Sequence, residues 1–401
     1  MKNPPTKTAI NGILLMTQFT DQDQQYMTLA LSLAKLGLYT TSPNPRVGCV
    51  LVKNGEIIGQ GYHIKAGTAH AEVHALAQAG DNAKGATVYV TLEPCSHYGR
   101  TPPCAQALIN AQVDQVVIAM IDPNPAVAGK GVAMLEQAGI AVQVGLLEQQ
   151  ARAINVGFIK LMTTGLPFVR CKLACSLDGK TAMANGESQW ITSIDARRDV
   201  QRLRAQSCAI ISGAQTVIQD DAKLTVRRNE LVNAEHYYPA AYFPAQTVRP
   251  PIRVIIDSQH RLTPTLALFA TDSPIIIVST ALDNQFTWPQ FVEQLVVPAD
   301  SKTGKVNLLA LLTVLGERGI NDILLESGAQ LAGAFFTQNL VDQLVLYQAP
   351  ILLGADAMSL VTLPELTQLT QAKQLTFDDV SQVGPDIRII ASLSNPLTTQ
   401  A

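Results

Sequence analysis

Apolar and polar positions change period repeatedly along this chain, and each change marks an element. In residues 21–38, Tyr26, Ala30, Leu33 and Ala34 share one helical face, and Asp21 with Gln24 forms a capping box. The prolines of Thr41-Ser-Pro-Asn-Pro45 stop that helix, since neither can donate to its ladder. A buried strand over 47–52 then meets Asn54-Gly55, a tight-turn dipeptide, and 56–62 returns antiparallel. The pattern goes on through a helix over 70–79, a strand over 86–92, a loop over 93–102 and a helix over 104–111. A strand over 113–121, a helix over 131–138, a strand over 140–144 and a helix over 148–162 follow. Strands alternating with helices predict a layered α/β domain with a mixed sheet.

Thr163-Thr-Gly-Leu-Pro167 is the predicted boundary, because small residues and a proline separate a helix from a strand. Beyond it the pattern predicts a strand over 168–174 and a turn at Ser176-Leu-Asp-Gly-Lys180. A helix over 196–204 is capped by Thr192 or Ser193, and strands fall at 208–212, 252–257, 275–279, 322–326 and 343–348. This is a second α/β domain. The expected division is an extension over 1–20, one domain over 21–165 and another over 166–401.

Two domains also suit 401 residues, more than one core usually serves. A composition 47% hydrophobic and 15% charged is globular. No apolar run approaches the roughly 18 residues of a membrane span, and residues 1–20 read as a polar tag or a frayed extension and lack the order of a signal peptide. With 29 basic and 32 acidic side chains the net charge of −3 argues against a general nucleic-acid binder. Six cysteines in so long a chain make no disulfide scaffold and point to a reducing cytoplasm, where cysteine pairs bind metal.

The candidate chemistry starts at His70-Ala-Glu72, answered by Pro94-Cys95 and Pro103-Cys104. One histidine and two cysteines supply three ligands to a zinc ion and leave a position for water. A glutamate that is not a ligand can move protons to and from that water, the H-x-E plus P-C constellation of zinc deaminases. His70 and Cys104 fall at predicted helix starts, where N–H groups and the dipole favour anions. Residues at i and i+2 share no helix face, so His70 and Glu72 reach one metal only if the helix meets it end-on. A structural zinc site would instead close with His74 or His97. His-Ala-Glu-Val-His is not the H-E-x-x-H of metalloproteases, and Cys49 reads as a small core residue.

In the second half, Ile323-Leu-Leu-Glu-Ser-Gly-Ala-Gln-Leu-Ala-Gly333 runs from a strand through small residues into a helix near Ala329. N–H groups at such a start can cradle a phosphate, although this is neither G-x-G-x-x-G nor a P-loop, and helix–strand packing explains the glycines as well. Thr216, Asp220 and Asp221 can serve as caps and turns, Arg227-Arg228 as a solvated pair, and Trp190 as a packed aromatic.

Several stretches carry a family resemblance. The long loop Glu93-Pro-Cys-Ser-His-Tyr-Gly-Arg-Thr-Pro-Pro-Cys104, with Pro43-Asn-Pro-Arg-Val-Gly48 and Gly61-Tyr-His63, resembles the deaminase half of the bifunctional riboflavin-biosynthesis deaminase/reductases. Lys172-Leu-Ala-Cys-Ser-Leu-Asp-Gly-Lys180, Gly186-Glu-Ser-Gln-Trp-Ile-Thr192 and Asp220-Asp-Ala-Lys-Leu-Thr-Val-Arg227 resemble the reductase half, which is similar to dihydrofolate reductase. Ala222 stands where many members have proline, and residues 228–248 make a longer surface loop than the fold needs.

The resemblance implies a cytidine-deaminase-like domain followed by a dihydrofolate-reductase-like α/β domain. It implies zinc on His70, Cys95 and Cys104, proton transfer by Glu72, and a substrate pocket lined by Asn44, His63, His97 and Arg100. It implies NADPH held by Ala174, Trp190, Thr216, Asp220, Ser258 and the turn Gly328, Ala329, Gln330, Leu331, Ala332, Gly333, Ala334. The sugar phosphate falls to Ser188, Arg204, Leu224, Arg227 and Glu326, with Lys172 polarising the sugar. The expected partner is a small pyrimidine ribosyl phosphate, with no nucleic acid and no membrane, for a cytoplasmic homo-oligomer. A deaminase of other nucleosides or of nucleic-acid bases, with a C-terminal half that is no reductase, is the alternative, and a non-catalytic zinc-stabilised assembly module another.

Overall fold

The computed structural model describes residues 7–10, 13–16, 19–97, 102–125, 127–231 and 248–393. Arg100 and most of the 228–248 loop therefore lie outside the described residues. The chain forms two compact units, Met1–Thr164 and Gly165–Ala401. No helix among the described residues is long and apolar enough to cross a membrane.

In the first unit, β1 (Lys7–Ile10) and β2 (Ile13–Met16) pair as a hairpin ahead of α1 (Asp21–Leu36). The capping box of α1 closes one residue earlier than the sequence pattern predicts. Thr20 takes an extended conformation, its hydroxyl accepts from the Asp23 N–H, and the Asp23 carboxylate accepts from the Thr20 N–H. Asp23 also accepts from the Tyr89 hydroxyl at 2.6 Å, and that long-range bond favours Asp23 over Gln24.

Strands β3 (Gly48–Lys53) and β4 (Glu56–Tyr62) make the expected hairpin, with Asn54 and Gly55 both at positive φ. Then come α2 (Ala71–Ala79), β5 (Thr87–Val90), α3 (Cys104–Asn110), β6 (Gln115–Ile118), α4 (Lys130–Gln137) and β7 (Ala141–Val144). The sheet runs β4-β3-β5-β6-β7, antiparallel on the hairpin side and parallel on the other. Alternation along β3 divides the core: Cys49 and Leu51 pack with α2, α3 and α4, Val50 and Val52 with α1.

The helix predicted over 148–162 is two helices, α5 (Glu148–Ala153) and α6 (Val156–Thr164). Asn155 causes the break. Its side chain, only 1% exposed, accepts from the Arg46 N–H at 2.8 Å and donates to the Arg46 carbonyl at 3.0 Å. An amide that satisfies a distant backbone both ways competes with a continuous helix.

The second unit holds a nine-stranded sheet. Its elements begin with β8 (Phe168–Ser176), β9 (Lys180–Ala182), α7 (Ile194–Gln206), β10 (Ala209–Gly213), α8 (Ala214–Asp220), α9 (Arg228–Leu231), β11 (Ile252–Ile256) and β12 (Ile275–Ser279). They continue with β13 (Val292–Val296), α10 (Leu308–Glu317), β14 (Asp322–Glu326), α11 (Ala329–Thr337), β15 (Gln343–Ala349), β16 (Met358–Ser359), β17 (Leu375–Val383) and β18 (Asp386–Leu393). The sheet order is β13-β12-β11-β10-β14-β8-β15-β18-β17, parallel as far as β15 and antiparallel beyond it. Ser193, one of the two caps expected, accepts from the Ala196 N–H at the start of α7. The sequence pattern names no strand at β13, β17 or β18; β17 is largely exposed, and its polar residues dilute the apolar period.

Replacing Asn155 with alanine strands a buried N–H and a buried carbonyl of Arg46. Asn155→Ala is expected to destabilise the first unit by about 1–3 kcal/mol, read from a denaturation midpoint. A midpoint that does not move would show that the bonds to Arg46 contribute nothing net.

Candidate functional site

In the first unit, α2 lies close against β4 at Gly59 and Gly61. A Cβ on Gly61 would sit 2.5 Å from the Ala71 carbonyl oxygen, and one on Gly59 2.2 Å from that of Ala75. This contact sets where α2 begins. His70 is its N-cap and Glu72 its second residue, so both occupy the helix end, as the end-on argument requires.

The loop after β5 and the start of α3 bring the cysteines to the same place. The donor atoms of His70, Cys95 and Cys104 all lie within 4.8 Å of one another. His70 Nδ1 is 3.2 Å from Cys104 Sγ and 3.7 Å from Cys95 Sγ. Tetrahedral zinc with its usual bond lengths needs donors about 3.5–3.8 Å apart, so the set fits. Cys95 Sγ also accepts from the Cys104 N–H at 3.2 Å, a backbone donor aimed at a thiolate. The hydrogen bond from the Cys104 thiol foremost, with His70 adding to it, holds the Cys95 thiol below its ordinary value.

Glu72 is 3% exposed, and burial pushes its carboxyl up to about 7. Asn44 and His63 complete the cluster. Asn44 Nδ2 is 3.1 Å from His63 Nε2, and His63 Nδ1 is 3.1 Å from the Ala69 carbonyl. That carbonyl only accepts, so Nδ1 carries the proton and Nε2 accepts from Asn44. Burial lowers the His63 pKa, which keeps the ring neutral, and the ring meets His70 edge-on at 5.4 Å. His97 is exposed; His74 is not among the metal-competent donors of the described residues.

The pattern reading gave no role to Glu93. Its buried carboxylate accepts from the N–H groups of Asp122, Gly129, Gly131 and Val132. Its place directly before Pro94-Cys95 was the available signal.

In the second unit, β11, β10, β14 and β8 are consecutive parallel strands, and the candidates cluster along their carboxyl ends. Ser258 follows β11, Thr216 and Asp220 lie on α8 after β10, Glu326 ends β14 before the α11 turn, and β8 carries Lys172 and Ala174. The carboxyl ends of parallel strands are where open α/β sheets bind ligands. At the α11 start, Gly328 N–H donates to the Thr216 hydroxyl at 3.2 Å, while the buried Ser327 hydroxyl has no partner among the described residues. An orphaned hydroxyl beside a helix N-terminus suits a phosphate-bearing cofactor.

Register places Lys172 opposite Glu326. Arg204 on α7 binds Glu326 through two nitrogens, at 2.6 and 2.9 Å, and donates to the Thr225 carbonyl at 3.0 Å. Burial alone would raise the Glu326 pKa, but Arg204 foremost, with Lys172 and Arg227, holds it below the ordinary value. Burial lowers the Lys172 pKa against the opposing pull of Glu326. Lys172, Arg204, Arg227 and Glu326 thus form one electrostatic cluster. Leu224 is buried at positive φ one residue before Thr225. Ser188 and Trp190 lie on the segment between β9 and α7, which is linked to α8 by a bond from Gln219 to the Gly186 carbonyl. Trp190 is 66% exposed beneath the Arg197 guanidinium.

The first unit therefore has the construction of a zinc deaminase, and the second that of an α/β reductase. Residues 20–120 match the cytidine and deoxycytidylate deaminase zinc-binding region, and residues 167–389 match the RibD C-terminal domain. Riboflavin biosynthesis protein RibD of Escherichia coli is 52% identical over 366 residues, 91% of this chain and 98% of that protein. RibD of Haemophilus influenzae is 53% identical over 376 residues, 93% of this chain and 98% of its own. Acinetobacter baumannii RibD has a solved structure with TM-score 0.82 at 45% identity, covering 93% of this chain and 99% of that one. The chain belongs to the RibD family of bifunctional riboflavin-biosynthesis deaminase/reductases.

Arg204→Leu removes the partner of a carboxylate that is 10% exposed. At neutral pH the second unit is expected to lose up to about 3–5 kcal/mol. The folded pKa of Glu326 is depressed, so its stabilisation exists above the unfolded value and fades as pH falls through the folded one. The difference between wild type and variant should therefore shrink below about pH 4, and a gap constant from pH 7 to pH 3 would refute the assignment.

Proposed function

We propose that residues 21–165 and 166–401 carry out successive steps on one pyrimidine ribosyl phosphate, with the residues above in specific roles. A Thermotoga maritima structure with TM-score 0.80 at 30% identity, covering 93% of this chain and 99% of its own, is a diaminohydroxyphosphoribosylaminopyrimidine deaminase/5-amino-6-(5-phosphoribosylamino)uracil reductase. The same pair of reactions is assigned here. The first is hydrolysis of the 2-amino group of 2,5-diamino-6-ribosylamino-4(3H)-pyrimidinone 5′-phosphate, and the second reduces the ribosyl group to ribityl. The observation that carries the reading is Glu72 buried at the helix end that also presents His70.

His70, Cys95 and Cys104 hold zinc, which when bound lowers the pKa of the attacking water. Glu72, poised near 7, takes a proton from that water and returns it to the departing ammonia. His63 fixes Asn44 through its neutral Nε2, and the remaining amide hydrogen and oxygen of Asn44 orient the pyrimidine edge. His97 and Arg100 are assigned to substrate binding by the family resemblance. Arg100 has the planar fork that suits the phosphate.

NADPH supplies the hydride for the sugar carbon in the second step. The α11 turn, Thr216, Asp220, Ser258, Ala174 and Trp190 bind that cofactor, supported by the orphaned Ser327 hydroxyl and the strand-end arrangement. Lys172 polarises the sugar, Glu326 holds Lys172 and Arg204 in place, and Arg227 with Ser188 and Leu224 receives the phosphate end. Assembly as a homo-oligomer is part of the proposal, supported by Phe377 and Val380, 70% and 58% exposed on the outermost strand β17. Six free cysteines support a cytoplasmic location.

The test follows ammonia release and NADPH oxidation separately. Glu72→Gln is expected to slow ammonia release by about 10²–10⁴-fold and leave NADPH oxidation on the already deaminated pyrimidine unchanged. Chelation of zinc should divide the two signals in the same way. Ammonia release within threefold of wild type in Glu72→Gln would remove Glu72 from the chemistry.

A further inference from the structure

A second layer behind the zinc ligands decides where Cys95 can sit. Glu93 Oε1 accepts from Gly131 and Val132 at 2.8 and 3.2 Å, and Oε2 accepts from Asp122 and Gly129 at 3.1 and 3.0 Å. The Glu93 N–H donates to the Met120 carbonyl at 3.0 Å. Glu93 is thus tied by backbone and side chain to the segment that leaves β6 and enters α4. It is 3% exposed. Four amide donors converge on its two oxygens, an arrangement that only a carboxylate at this position can use fully.

The next residue shows how closely the two segments approach. A Cβ placed on Gly131 would come within 2.1 Å of the Pro94 carbonyl oxygen. Pro94 is therefore pressed on the first turn of α4, and proline fixes φ of the residue that leads into Cys95. On its other side Cys95 is held by α3, since its carbonyl accepts from Ala105 at 3.1 Å and its sulfur from Cys104 N–H at 3.2 Å. The ligand is clamped from two helices, and the α4 side of the clamp is Glu93 with Gly131.

We propose that Glu93 is a positioning residue for the metal centre: its four-donor clamp to the start of α4 fixes the direction of Cys95 Sγ. It touches neither substrate nor ligand atoms, and acts only through Cys95. The inference rests on the zinc reading of His70, Cys95 and Cys104. Outer residues that orient a ligand typically carry about 10–100-fold in metal affinity or activity. Glu93→Gln would turn one oxygen into an NH2 group facing two N–H donors, breaking half the clamp and leaving every ligand in place.

The experiment compares full-length wild type, Glu93→Gln and Gly131→Ala. It measures zinc affinity by competition with a chromogenic chelator, the visible spectrum after cobalt substitution, and deaminase kcat and KM. Expected for Glu93→Gln are zinc binding weakened about 10–100-fold, shifted cobalt ligand-field bands, and kcat reduced with KM nearly unchanged. Gly131→Ala keeps the Glu93 carboxylate but crowds the clamp from the α4 side, its Cβ falling 2.1 Å from the Pro94 carbonyl oxygen and 3.1 Å from Glu93 Oε1, and should shift the cobalt bands too; it carries the test if Glu93→Gln does not fold. A role confined to stability would lower the melting point and leave the cobalt spectrum of the folded protein unchanged. Zinc affinity within threefold of wild type with an unchanged spectrum would overturn the clamp and leave the metal centre standing. Wild type that takes up no zinc in stoichiometric amount would overturn both.

Discussion

The chemistry of the first unit depends on α2 being able to touch β4 directly. Gly59 and Gly61 remove the side chains that would hold the helix away, and their positions face the carbonyls of Ala75 and Ala71. His70 caps the start of that helix, Glu72 follows inside the first turn, and the unpaired N–H groups there favour anions. Residues two apart, which a helix would otherwise point in different directions, serve one site because they stand at its end.

The second unit solves a different electrostatic problem. Its site gathers Lys172, Arg204, Arg227 and Glu326 in partly buried surroundings, and the charges compensate one another internally. Arg204 arrives on α7, so the docking of that helix matters. Asp199, one helical turn earlier, accepts from Tyr347 on β15 at 2.6 Å and from Arg388 on β18 at 3.0 Å, and also pairs with Arg202. The two antiparallel strands absent from the sequence pattern thus matter to the site, because one of them holds the helix that delivers Arg204 to Glu326.

How far the sequence could be read follows from this. His70-Ala-Glu72 with two Pro-Cys steps is chemically specific enough to name a metal centre before any fold is known, and the donors do converge. The hairpin at Asn54-Gly55 was legible because few dipeptides accept positive φ twice. Asn155 was not, because its reason for breaking a helix lies 109 residues away at Arg46. The same holds for the cap at Thr20, chosen through Tyr89, and for the bidentate pair of Arg204 with Glu326, 122 residues apart. Local pattern reports what neighbours in sequence dictate, and these choices are made by neighbours in space.

Glu93 lies between those cases. Its identity is local, since it directly precedes Pro94-Cys95, but its function is read only from the four amides that converge on it. Two buried carboxylates near one metal centre are thereby given opposite treatments. Both oxygens of Glu93 accept from amide N–H groups, whereas burial pushes the Glu72 carboxyl up to about 7. A carboxylate meant to hold must be saturated with donors, and one meant to react must be left short of them. On the roles proposed, the same side chain serves as scaffold at Glu93 and as proton carrier at Glu72 according to how many N–H groups the fold turns toward it.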